Sequence, residues 1–562
     1  MVTCFLVLVA AQVAGTVALR PWRWVGWSDD PSPLDVAAVG NTDTGVPSDQ
    51  ASAPSTAPAS ADDAAAVYRQ DGWVAAENAR PGTTDWKVGD DPAGWDLISG
   101  FADHTSVDLG ASFVLRVSTI APTFRVEAYR MGFYAGQGGR LIWASDPQTG
   151  VLQPPPVVDE ETGTRECDWA PSLTVQTDAS WPPGQYVLKL VTDDGAGASM
   201  VPIVVRDDQS HADLVLMSAV TTWQAYNAWG GADLYNGPGG ATDDEDRSTI
   251  VSFDRPYADN GSGHLFGGEF ELINEIESLG LDVTYWTDID LHLHPELLTN
   301  HHALLSMAHD EYWSTAMRAG AEAARDAGVN IAFFGANAVY RRIRLEDSPV
   351  GPARHLVNYR SAAADPMTGV NDSEVTTSWR EPPDPKPESS LVGDYYECNP
   401  VSADMVIVNP ANWVFEGTGV TDGTRFPDVV GNEYDRVTPE APTPDNIEVL
   451  AHSPLECRGV GSFADMTYYT APSGAGVFAT GTLWWLRHLT QPCPDATVSA
   501  DCQMRRVTEN VREPSPRGRP ATSTHRRATS TRWASTPATS HRRRKDERGP
   551  RRAMAHVYSG LR

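Results

Sequence analysis

From Asp213 to Asn337 the chain repeats one grammar, and that grammar constrains the fold class of its larger part. "DLVLMSA" (213–219) is a short apolar run. "EFELINEIESLG" (269–280) then sets Phe270, Ile273, Ile276 and Leu279 at helical spacing, with Gly280 as a stop. "LDVTYWT" (281–287) and "HALLSMA" (302–308) read as strands. "STAMRAGAEAARDAG" (314–328) reads as a helix that starts at an N-cap, Ser314, and ends at Gly328. "VNIAFFGAN" (329–337) is the next strand. Strand–helix–strand alternation predicts a mostly parallel sheet with right-handed crossovers. Ligands of such sheets sit beyond the carboxyl ends of the strands.

A chemically loaded stretch falls at such an end. The apolar run Leu304 to Ala308 is followed at once by His309, Asp310, Glu311 and Tyr312. Asn337 stands at the end of the following strand. Neighbouring strands about 5 Å apart would bring these ends together. A helix starting at Ser314 would aim its N-terminus at the same place, favouring an anion or a polarised carbonyl oxygen.

The preceding part has a different pattern. "SFVLRVS" (112–118), "FRVEAYRM" (124–131), "QYVLKLVT" (185–192) and "MVPIVVRD" (200–207) alternate or are rich in β-formers, with Gly, Pro and Asp between them. Residues 65–207 therefore read as a β-sandwich. "YRMGFYAGQGGR" within it reads as a sandwich corner, with a sugar-binding surface as the other use of such aromatics.

At 562 residues the chain is too long for one ordinary core. Its formal net charge of −31 argues against a nucleic-acid partner. From Arg505 onward, however, 16 Lys and Arg stand against 4 Asp and Glu. This stretch, 505–562, reads as a disordered basic tail with no apolar period. Residues 1–24 open with an uncharged apolar run up to Arg20 and read as a signal peptide or membrane anchor. The Pro, Ala, Ser and Asp of 25–64 read as a linker. The expected location is extracellular, or membrane-anchored facing outside, with contact to the membrane only through the N-terminal segment. Six cysteines fit export. Spacing does not determine connectivity; the expected pairs are Cys398–Cys457 and Cys493–Cys502, with Cys167 left over.

Covalent hydrolase schemes fit poorly. The α/β part has no Cys between Cys167 and Cys398, and no G-x-S-x-G elbow occurs anywhere. Water activated by a metal or a base is the better expectation. Taken singly, each candidate also has an ordinary structural use. His309 could tie a loop to backbone, Glu311 could complement a helix dipole, and Asn337 could serve a turn. Tyr226 could be a core aromatic, and Glu433 could flank a hairpin. His292 and His294 in "DLHLHPELL" are a weak zinc pair at i, i+2.

Five segments in order, "TTWQAYNAWGG" (221–231), "VSFDRPY" (251–257), "AHDEYWS" (308–314), "AFFGAN" (332–337) and "VGNEYDRV" (430–437), resemble the N,N-dimethylformamidase large (beta) subunit family, over about 211–490. The resemblance implies a glutamine-amidotransferase-like α/β domain, here 208–492. It also implies an amide hydrolase with Fe(III) held by two tyrosinates and a glutamate, assisted by a His, an Asn and a second Glu. The matching positions are Glu311 and Tyr226 for the metal and His309, Asn337 and Glu433 for catalysis. The second tyrosine has no aligned match, since Ile250 stands near its place. Tyr257 is taken for that role, with Tyr235 as the other candidate.

The sequence thus predicts a multidomain chain, an N-terminal all-β sandwich followed by an α/β domain. Its expected activity is hydrolysis of a small amide at a metal-activated water. A second reading is a non-catalytic extracellular protein that binds a glycan or cell-wall polymer through an enzyme-derived domain. A third is a carbohydrate-active enzyme using Glu311 and Glu433 as its carboxylate pair.

Overall fold

The apolar runs of the larger part pair as parallel strands, in the order Val283–Thr287, Leu214–Ser218, Ala303–Met307, Asn330–Phe334 and Gly476–Ala479. Two antiparallel strands, Val460–Thr470 and Glu448–Cys457, complete this seven-stranded sheet. The computed structural model describes residues 65–512 apart from 90, 238–246, 490–492 and 494. Strands Leu214–Ser218, Val283–Thr287 and Ala303–Met307 are buried at every position. Burial on both faces is why their sequences are continuous apolar runs rather than alternating ones. The strand order reverses between Leu214–Ser218 and Ala303–Met307, which opens a crevice at their carboxyl ends.

Local signals set the helices. Ser314 Oγ accepts the Met317 N–H at 3.1 Å, capping helix Thr315–Ala327. Gly328 ends it at φ 108°, a left-handed conformation that a side chain would strain. Two further β-structures follow no apolar run. Tyr312–Ser314 joins Arg341–Glu346, His355–Val357 and Ile250–Ser252 in a four-stranded sheet. Tyr395–Val406 and Arg425–Arg436 form a long irregular hairpin.

Residues 98–206, within the expected sandwich, hold two sheets packed over one apolar layer. Strands Ile98–Ala102, Ser112–Thr119 and Leu173–Gln176 face a larger sheet containing Thr123–Met131, Gly184–Thr192 and Ala198–Arg206. Phe113, Leu115, Val117, Val126, Leu188 and Ile203 fill the space between. The expected division at 207/208 is not a gap between separate cores. Tyr129, Met131 and Val187, on the outer face of the larger sheet, share a cluster with Leu214, Leu216, Leu272 and Ile273. The described residues fall within one compact unit. At this junction Arg130 and Glu277 form an ion pair with both side chains fully buried.

The expected tail also begins too early. Ala500–Arg512 is a helix, and Met504 and Val507 are fully buried. Met504, Val507 and Val511, at i, i+3 and i+7, give this short piece an apolar face that the charge of the whole tail obscured. Residues 513–562, the proposed signal or anchor 1–24 and the whole of the linker 25–64 lie outside the described residues. Among those described, no helix is long and apolar enough to cross a membrane.

Cys398 pairs with Cys457 and Cys493 with Cys502, while Cys167 is buried and free. The first bridge spans 59 positions and ties the long hairpin to the edge of the main sheet. Replacing Cys398 and Cys457 together by serine is expected to lower stability by about 2–4 kcal/mol, read from the denaturant midpoint. An unchanged midpoint would mean that the loop is constrained equally well without the bridge.

Candidate active site

The crevice at the strand-order reversal is where the candidate side chains meet. After Leu214–Ser218 the chain turns into the short helix Val220–Ala225, which delivers Tyr226. Thr222 Oγ1 accepts the backbone N–H groups of Glu311 (3.0 Å) and Tyr312 (3.3 Å). Thr221 Oγ1 donates to the Tyr312 carbonyl at 2.7 Å. Two hydroxyls thus stitch together the ends of two neighbouring strands.

The next strand end is pressed against the same place. Ala308 has φ 53°, a turn that swings His309 out of the sheet. A Cβ at Gly335 would meet the Ala308 carbonyl oxygen at 1.7 Å, so only glycine allows this approach. Asn337, at φ 58°, donates its backbone N–H to Asp435 at 2.8 and 3.0 Å. Asp435 lies on strand Arg425–Arg436, which therefore brings Glu433 to the site.

Glu311 is at the centre. Its Oε2 accepts the hydroxyls of Tyr226 and Tyr235, each at 2.9 Å, and Tyr235 also reaches Oε1 at 3.1 Å. The Tyr226 and Tyr235 rings stack with centroids 4.3 Å apart. Burial, then the negative charge of Glu311, pushes both phenols well above their ordinary pKa. His309 Nε2 lies 3.4 Å from Glu311 Oε2 and 3.5 Å from Glu433 Oε2. Burial raises the Glu433 pKa, against the opposing pull of His309, and Glu311 raises it further. Asn399 donates to Glu433 Oε1 at 2.7 Å, and the Asn399 and Asn337 amides favour the charged form of Glu433.

Five of the expected residues, Tyr226, His309, Glu311, Asn337 and Glu433, therefore converge. Tyr257 does not join them. It packs edge-on against Trp223 and lines a cavity with Phe101, Ile203 and Arg354. It is not among the rings around Tyr226, which are Tyr235, His264, His309 and Tyr312. The second phenol at Glu311 is Tyr235, because the turn at Asp233, whose Oδ1 accepts the Tyr235 and Asn236 N–H groups, folds it back over Tyr226. Asp310 points away, accepting Ser306 and Trp313, with its pKa pushed up to about 6 by burial. His292 instead bonds Ser314 Oγ at 2.8 Å.

Sequence reasoning assigned no role to four other neighbours. Tyr312 donates to Tyr235 at 2.7 Å, and Arg360 donates to Tyr312 at 3.2 Å. Arg341 Nε stands 3.5 Å from Glu311 Oε1. His264, 6.4 Å from Tyr226 between ring centroids, is held near pKa 4 by burial and by His309. Only Tyr312 carried a signal, as a member of the polar cluster at the strand end.

Several polar atoms here are buried without a hydrogen-bond partner: His309 Nε2, Glu433 Oε2, Asn337 Oδ1, Arg341 Nε and Arg360 Nε. Buried polar groups are ordinarily satisfied, so such a gathering marks a place where a ligand completes the bonding. Among the described residues no group of three or more His, Cys, Asp or Glu forms a metal cluster. The oxygens around Glu311 are a different donor set, one carboxylate and two phenols. A family model described as N,N-dimethylformamidase beta subunit-like, C-terminal, matches residues 125–499, which include every residue of this site. No curated protein matches the chain.

Proposed function

The chain belongs to the N,N-dimethylformamidase beta subunit-like family, and on that premise we propose that it hydrolyses the C–N bond of a small amide, with Glu311, Tyr226 and Tyr235 as the residues that would hold a ferric ion. The observation that carries the reading is the convergence of those three oxygen donors with His309 and Glu433 in one buried crevice. The donor set fits the ion, since carboxylate and phenolate oxygens suit hard trivalent iron. Bound there, the ion would supply Lewis acidity and lower the pKa of water.

The chain's own residues supply the proton handling. His309 is oriented by Glu433 and takes the proton of the attacking water, then returns it to the leaving nitrogen. Asn337 steadies Glu433 and offers amide hydrogen to the oxygen on which negative charge develops. Amide and water become carboxylic acid and amine. The parallel order with its site at the strand ends supports the glutamine-amidotransferase-like reading of the α/β part. Export, with 1–24 as signal or anchor, is part of the proposal, and the two disulfides support it.

The test uses the full chain loaded with Fe(III) and N,N-dimethylformamide, measuring formate and dimethylamine. Release of both, with a visible tyrosinate-to-iron absorption, is the expected result. His309→Ala is expected to keep the absorption and lose activity about 10²–10⁴-fold. A stable protein that takes up no metal and releases no amine would overturn the reading in favour of a glycan- or cell-wall-binding protein.

A further inference from the structure

Two guanidinium groups border the site with little to bond. Arg341 lies on strand Arg341–Glu346, and its Nε approaches Glu311 Oε1 only to 3.5 Å. Arg360 stacks over the Tyr235 ring at 4.1 Å and donates once, to Tyr312. Nε of each is buried without a hydrogen-bond acceptor. Among the described residues Glu311 is the one carboxylate within 4.0 Å of Arg341, and none lies that close to Arg360. Glu311 already accepts two phenols, and an ion held there would engage its charge. The two half-buried cations would then stand with no other carboxylate partner among the described residues, an unfavourable arrangement that an anionic ligand would relieve.

We propose that Arg341 and Arg360 form a subsite for a carboxylate carried by the substrate, so that the preferred amides are those of acidic compounds, such as N-acylated amino acids. The proposal rests on the amide-hydrolase reading of the same crevice. A planar guanidinium presents paired donors that match a carboxylate in plane, and an aromatic ring beneath it fixes its orientation. Arg360 has that support from Tyr235, and Arg341 from Tyr340 at 4.6 Å. The scissile C–N bond of such a substrate would face His309 and Glu433 across Glu311.

Calorimetric titration of the full chain with N-formylglycine and with its neutral counterpart N-formylglycinamide tests this. The acid is expected to bind about 10- to 100-fold more tightly, the contribution of one or two charge-assisted hydrogen bonds. Arg341→Gln and Arg360→Gln should each bring the ratio towards one, and Arg341→Lys should retain part of it. Equal affinity in the parent protein, or a ratio that survives the double substitution, overturns the proposal. Formate assays separate this from the wider reading. Preference without hydrolysis of either probe would sink the hydrolase and keep the subsite, whereas hydrolysis of both without preference would do the reverse.

Discussion

Glu311→Gln is expected to abolish metal uptake and amide hydrolysis together while leaving the fold intact. The substitution keeps the volume and removes the one anionic oxygen pair on which Tyr226 and Tyr235 converge. Without that charge the two phenols have no anionic partner, and the remaining neutral donors bind a trivalent cation poorly. Loss of Lewis-acid stabilisation of several kcal/mol corresponds to about 10³-fold or more in rate. Elemental analysis, the visible absorption and formate release should all fall, while the melting curve moves little. A simple helix-dipole role for Glu311 makes another forecast, about 0.3–1 kcal/mol of stability and unaltered metal content. Metal bound at parental stoichiometry in Glu311→Gln would remove Glu311 from the ligand set.

Glu277→Gln should give the largest loss of stability, about 3–5 kcal/mol. Arg130 is fully buried and bonds Glu277 at 2.9 and 2.5 Å, Tyr134 at 3.0 Å and the Pro183 carbonyl at 3.0 Å. Glu277 also accepts Asn78 at 2.9 Å and the Tyr285 hydroxyl. A Cβ at Gly132 would come within 2.1 Å of Glu277 Oε2, which shows how closely the sandwich backbone approaches this carboxylate. Removing its charge leaves Arg130 uncompensated in the interior. The denaturant midpoint reads the loss. Replacing both partners by apolar residues, Arg130→Met with Glu277→Leu, should recover most of it. If the single substitution costs under 1 kcal/mol, water reaches the pair and the junction is looser than it looks.

The parts of this structure that follow local rules were legible in the sequence. Ser314 and Gly328 bound a helix because cap chemistry is local, and four apolar runs became strands because each is buried on both faces. The meeting of His309, Glu311 and Asn337 followed from strand ends lying side by side. Tyr226 and Glu433 needed the family resemblance, since no periodicity joins residues so far apart. The choice between Tyr235 and Tyr257 depended on how the Asp233 turn folds, which spacing does not encode. Arg341 and Arg360 belong to no motif in the sequence. Arg130 gave no sign that its partner would be Glu277, 147 positions away. With neither that pair nor the apolar cluster around it visible in the sequence, residues 65–207 read as a separate domain, and the structure shows a shared core.

The helix Ala500–Arg512 has a consequence for biosynthesis. It lies against strand Arg425–Arg436, which carries Glu433, and buries Met504 and Val507 in the same cluster as Val429, Val430 and Trp485. Arg505 reaches back to Glu275 at 2.8 Å, 230 positions earlier. A ribosome adds these residues after every named residue of the site, so the cluster they share cannot be complete before residue 507 has been made. A polypeptide stalled before residue 500 carries all the named site residues without the helix that packs against the strand bearing Glu433.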